Sequence, residues 1–268
     1  MNTLLLLDSC AHPTCSGQWT QGRTGVTHAE LAAELEVNGW AGALAIGLPG
    51  VGEYEHSRFM DLCSHHRALI PVAALTTHHS GPALHADLDE IKDCGYRIVK
   101  IHPRLLGYEH TLAALPILIG ECVHRGLAVA LCTYPEYRSE IGPDEARAQM
   151  AAAIAAHPEG SFITMHTGVL DPSPFAELAA ENPRILMDFS MSLTKYPDPV
   201  RARVIEIAEQ SPTAISLGSD GPEWSYQQVR EALEDVGADL QPHAKAGLEG
   251  ENLRAWLHHI DPALANRR

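Results

Sequence analysis

The chain reads as an α/β protein, a single (β/α)8 TIM barrel spanning residues 1–268. Three observations predict this. Eight short apolar runs alternate with amphipathic stretches at roughly 30 residues per unit, the length of a βα repeat. The runs are near-continuously apolar, as befits parallel strands covered on both faces. Residue types capable of chemistry fall at the ends of these runs, where a barrel gathers its loops.

In chain order, strands are expected at Thr3–Asp8, Ala43–Gly47, Pro71–Thr76, Ile98–His102, Ala128–Cys132, Phe162–His166, Ile185–Asp188 and Ile215–Gly218. Between them, Thr27-His28-Ala29-Glu30 reads as a capping box ahead of Leu31 and Leu35. Leu84, Leu88 and Ile91 line one helical face, stopped by Gly95; Leu112, Leu115, Ile119 and Val123 line another, stopped by Gly126. Pro143 and Pro199 suit first turns, beside acids that favour the positive helix end. Val229, Leu233 and Val236 belong to the eighth helix, ended by Gly237. The tail after Pro242, with a helix at Glu249–His259, is expected to pack across the outside of the barrel. A doubly wound open sheet is the alternative, but it needs a glycine-rich phosphate turn after an early strand. Leu48-Pro49-Gly50-Val51-Gly52 lacks the spacing and the acidic partner, so it reads as a loop.

A hydrophobic content of 45% supports a large core, and a formal charge of −15 argues against nucleic acid and anionic membranes as partners. A small-molecule substrate is what remains. No apolar run approaches membrane-spanning length. The run Leu4–Leu7 is too short for a secretory signal, and no positive residue precedes it. Six cysteines (10, 15, 63, 94, 122 and 132) show no CxxC pair, which fits a reduced cytoplasmic protein. Cys63, Cys94 and Cys122 sit in helical patterns and read as packing.

Period-two alternation is expected to turn Asp8, Cys10 and His12 to one side of the first strand. Lys100 and His102 end the fourth strand, again two apart; Cys132 ends the fifth and His166 the sixth. Asp188 and Ser190 close the seventh, and Asp220 the eighth. Each has an ordinary reading too. Asp220 suits a helix N-cap, the histidines suit hydrogen-bonded core positions, and the cysteines suit buried thiols, a redox pair or a nucleophile. Arg104, Arg138 and Lys195 lie near strand ends and hint at an anionic substrate, since guanidinium grips carboxylate bidentately. Tyr134, Tyr137 and Trp224 follow strand ends and would wall an aromatic or cyclic substrate.

Four segments carry a family resemblance: Asp8-Ser9-Cys10-Ala11-His12-Pro13, Val99-Lys100-Ile101-His102-Pro103, Ile163-Thr164-Met165-His166-Thr167-Gly168 and Leu217-Gly218-Ser219-Asp220-Gly221-Pro222. With Glu251-Asn252-Leu253 in the last helix, the whole chain resembles the amidohydrolase superfamily, in its amidohydrolase-related branch of metal-dependent hydrolases. That family carries His-x-His on the first strand, His on the fifth and sixth, and Asp on the eighth, together holding a divalent metal. His12, His166 and Asp220 match, while Cys10 and Cys132 stand where the remaining histidines belong. Thiolate is a good zinc ligand. The resemblance thus implies one divalent metal, with zinc the expected ion, drawn from Cys10, His12, Cys132, His166 and Asp220. It implies Asp220 as proton acceptor and donor, and His166 or the metal as the stabiliser of the oxyanion. From their places at strand ends, Lys100, His102, Arg104, Tyr134, Ser190 and Trp224 are expected to contact substrate. The expected activity is hydrolysis of a small carboxylated lactone, amide or ester. The alternatives are non-oxidative decarboxylation of an aromatic or unsaturated acid, a metal-free lactonase, and a catalytically silent metabolite-binding barrel. A homodimer is compatible with the branch.

Overall fold

The computed structural model describes residues 6–266. Its strands pair in sequence order, every pair parallel: β1 (Leu6–Ala11), β2 (Trp40–Ile46), β3 (Leu69–Ala74), β4 (Ile98–Ile101), β5 (Ala128–Cys132), β6 (Phe162–Met165), β7 (Ile185–Asp188) and β8 (Ile215–Ser216). An unbroken order has no point where strand direction of winding reverses, so the doubly wound alternative falls. The start of the first expected strand, Thr3 to Leu5, lies outside the described residues. β8 is shorter than expected, and the ring closes through loop backbone. Asp220 N–H donates to Cys10 O at 2.7 Å, and His12 N–H donates to Gly221 O at 2.9 Å. Gly218 permits this approach, because a Cβ there would lie 2.4 Å from Cys10 N.

Helices α1 (His28–Val37), α2 (His56–Ser64), α3 (Pro82–Asp93), α4 (Pro103–Leu106), α5 (Tyr108–His124), α6 (Pro143–Ala155) and α7 (Ser173–Glu181) follow the first six strands. After β7 come α8 (Ser192–Lys195) and α9 (Pro197–Gln210), and after β8 comes α10 (Tyr226–Gly237). The Thr27–Glu30 capping box forms in both directions. Gly95 and Gly126 take φ of +90° and +70° and end α3 and α5 in the left-handed region glycine favours.

The tail departs from expectation. It forms α11 (Pro242–Ala246), a π turn, α12 (Asn252–Ile260) and α13 (Pro262–Ala265). Leu253, Trp256 and Leu257 of α12 join the inner core with Leu7, Leu44 and Ile163. Trp256 Nε1 donates to Arg184 O at 3.0 Å and Asn252 Nδ2 to Ile215 O at 2.9 Å, both at strand starts. The helix therefore plugs the barrel floor instead of lying on its outer wall. The apolar stripe looks the same in sequence for either position.

His28, first in α1, is buried with both ring nitrogens unpartnered and sits edge-on to Phe59 at 4.5 Å. Burial, then the charge of His66, lowers its pKa from 6.5 to about 4. Between those values the unfolded chain takes up a proton that the folded chain refuses. Stability is therefore full above pH 6.5 and falls as pH drops toward 4, by about 2 kcal/mol after allowance for solvent screening. Urea unfolding near pH 7 and about pH 4.5 should show His28→Leu losing less stability on acidification than the parent. Equal losses would refute this account.

Candidate active site

The site is built where the strands end. A register shift between Asp8 and Ala11 breaks the alternation expected in β1. Asp8 does not join Cys10 and His12. It is fully buried at the seam with β8, where its oxygens accept from Cys10 N, Ser219 N, Ser219 Oγ and Tyr226 OH. Burial pushes its pKa up to about 6 against the lowering effect of these donors. It is a seam fastener, and the bulge leaves Cys10 and His12 facing inward.

Four side chains converge. Cys10 Sγ lies 3.5 Å from His12 Nε2 and 3.7 Å from Asp220 Oδ1. Asp220 Oδ1 lies 3.4 Å from His12 Nε2 and 3.7 Å from His166 Nε2. Ligand atoms of Cys10, His166 and Asp220 all fall within 4.8 Å of one another, the one such group among the described residues.

Both imidazoles are oriented from behind. His12 Nδ1 is 3.0 Å from Ile46 O, which can only accept, so Nδ1 carries the proton and Nε2 presents its lone pair. His166 Nδ1 lies 3.0 Å from Ser190 Oγ and 3.2 Å from Ser190 O. Ser190 Oγ already donates to Asp188 Oδ2, so it accepts from His166, and the lone pair of His166 Nε2 also points inward. Asp188 binds Ser9 Oγ at 2.5 Å and His166 N at 3.1 Å, tying the tips of β1, β6 and β7 together. Ser190 is fully buried behind His166. There it orients the ring. His166 and Asp220 hold φ of +58° and +54°, a conformation that non-glycine residues adopt at a cost.

Burial and neighbouring charges set the protonation of each group. Burial, then the Lys100 charge, lowers the His12 pKa to about 4, so the ring is neutral near pH 7. Burial raises the Asp220 carboxyl, but His166, His12 and Lys100 outweigh it and hold it well below the usual range. Burial raises the Cys10 thiol despite Lys100. Cys132 is also fully buried, yet its neighbours His166, Arg104 and Lys100 overcome burial and hold its thiol below the ordinary value. Cys132 stands at the end of β5, outside the 4.8 Å group.

Lys100 is 1% exposed, with Nζ 3.4 Å from His12 Nε2. His102 is buried, and its Nδ1 has no partner. At the rim, the Arg104 guanidinium lies 4.2 Å from the Tyr134 ring centre, and Lys195 Nζ lies 5.9 Å from it. Arg58, Arg125 and Arg201 have carboxylate partners, whereas Arg104 and Lys195 rest on aromatic faces. Among the described residues neither Arg104 nor Lys195 has a carboxylate partner, in a chain with a formal charge of −15.

Trp224 sits elsewhere. It lines an outer cavity of about 460 Å³ with Leu31, Glu34 and Tyr226, between α1 and α10. The aromatic beside the cluster is Trp19, whose ring centre is 6.0 Å from that of His12. A tryptophan in a polar loop just after the first-strand motif was the only signal for it.

Eight parallel strands paired in sequence order, with these polar side chains at their ends, define a TIM barrel. The family model for amidohydrolases matches residues 14–259, and the chain belongs to that family. A search of curated proteins finds no match. Among solved structures, an uncharacterised TIM-barrel protein from Bordetella bronchiseptica is 16% identical with a TM-score of 0.76, covering 95% of this chain and 99% of its own. A protein assigned as a 2-pyrone-4,6-dicarboxylic acid hydrolase from Pseudomonas putida is 16% identical, TM-score 0.65, covering 97% and 99%. A dihydroxybenzoic acid decarboxylase from Polaromonas sp. JS666, with bound manganese and the inhibitor 2-nitroresorcinol, is 9% identical, TM-score 0.62, covering 94% and 96%. No helix of the described residues is long and apolar enough to cross a membrane.

Proposed function

We propose that the protein is a metal-dependent hydrolase of a small carboxylated lactone, amide or ester. The observation that carries this reading is the Cys10, His166 and Asp220 group, with His12 against Cys10 and Asp220 and both imidazole lone pairs turned inward. This donor set fits a divalent cation, and thiolate with imidazole suits zinc. Cys10, His12, His166 and Asp220 would hold it, and Ser190 and Ile46 O supply the outer support such ligands need. A divalent ion bound there supplies Lewis acidity and brings the pKa of water toward neutrality.

The chain's own groups do the rest. Asp220, ionised near pH 7, takes a proton from the attacking water at its carboxylate and later returns it to the leaving group. The inward lone pair makes His166 a ligand, so the oxyanion is left to the Lys100 ammonium and the unpartnered Nδ1 of His102. Arg104 and Lys195, over Tyr134, receive the substrate carboxylate at the rim.

The test is turnover in ¹⁸O-labelled water, across carboxylated lactones, esters and amides that include 2-pyrone-4,6-dicarboxylate. Hydrolysis puts one labelled oxygen into the new carboxyl group. Release of unlabelled CO₂ from aromatic acids such as 2,6-dihydroxybenzoate would move the assignment to decarboxylation, with Asp220 protonating carbon.

A further inference from the structure

We propose that Trp19 is a specificity-determining wall of this site and that Glu223 is its positioning residue; the substrate it selects rests on the reading above. The loop after His12 is pinched by a bridge between Gln18 and Thr24 and by Trp19 N–H donating to Arg23 O at 2.7 Å. The indole leans over the His12 ring at 32°. The indole lines a small void with His12, Cys15, Leu48, Val51, Tyr54 and Phe59, so mostly apolar side chains pack beside it.

The far end of the indole is clamped. Trp19 Nε1 donates to Glu223 Oε1 at 2.6 Å, and Arg23 donates to both oxygens of that carboxylate, Nη2 at 2.5 Å and Nη1 at 3.1 Å. Glu223 N–H in turn donates to Asp220 O at 3.1 Å. One carboxylate thus couples the wall to the loop that carries the reacting Asp220. The Arg23 and Glu223 side chains are 53% and 36% exposed, and a pair so exposed binds weakly enough to open and close. A flat indole beside the cluster selects flat rings and keeps water from the face it covers.

The experiment uses the full, metal-reconstituted chain with Trp19→Ala, Trp19→Phe and Glu223→Gln. The probes are 2-pyrone-4,6-dicarboxylate and 2,6-dihydroxybenzoate. Trp19→Ala should raise KM about tenfold with kcat within about threefold, and Trp19→Phe should recover most of the loss. Glu223→Gln keeps an acceptor for the indole but loses the Arg23 pair. It should raise KM about threefold and speed trypsin cleavage after Arg23. Calorimetric titration with both acids reads the wall without turnover. If the parent binds but converts neither, the reaction reading fails, and weaker binding by Trp19→Ala still supports the wall. Equal binding by parent and Trp19→Ala, with turnover intact, overturns the wall and spares the reaction reading. No binding by the parent overturns both.

Discussion

Asp220→Asn is expected to cut turnover about a thousandfold, roughly 4 kcal/mol of barrier, while the barrel still folds. The carboxylate is the group in the cluster placed to move a proton, since His12 and His166 spend Nδ1–H on Ile46 O and Ser190. An amide at this position accepts no proton near neutral pH. The fold should tolerate the change because Asp220 sits at φ +54°, a region asparagine enters readily. Its backbone N–H, which helps close β1 onto β8 through Cys10 O, is unaltered. Steady-state rates and thermal melts of parent and variant check this. Undiminished turnover would remove Asp220 from the chemistry, and loss of the folded state would mean the carboxylate is chiefly structural.

Cys10→Ser is expected to weaken metal binding at least a hundredfold, and Cys132→Ser to leave most of it. The two thiols look equivalent in sequence, both at family ligand positions. In space they differ, because Cys10 Sγ lies within 4.8 Å of the His166 and Asp220 ligand atoms and Cys132 is outside that group. A serine hydroxyl ionises too reluctantly to replace a thiolate. Metal analysis of protein purified without chelator, with titration against a competing chelator, separates the two cysteines. Stoichiometric, tightly held metal in Cys10→Ser would exclude the thiolate as a ligand.

The barrel was legible because each strand is an apolar run and each helix carries its own punctuation, as at Thr27 and Gly95. The strand-end positions of His12, Lys100, His166 and Asp220 were legible for the same reason. The fate of Asp8 was not, since one bulge reverses a period-two pattern without altering composition. Ser190 and Trp224 both follow strand ends, and position in sequence does not give their direction. Which way a loop side chain turns depends on partners distant in sequence, His166 for one and α1 for the other. Trp19 is not legible in the sequence, because its partner Glu223 is 204 residues away.

The plug formed by α12 has a consequence for traffic. With Leu253, Trp256 and Leu257 filling the underside, the upper opening serves as both doorway and exit. Under the proposed function, reactant and product would share that one passage, so a compound wedged there would halt arrival and departure together.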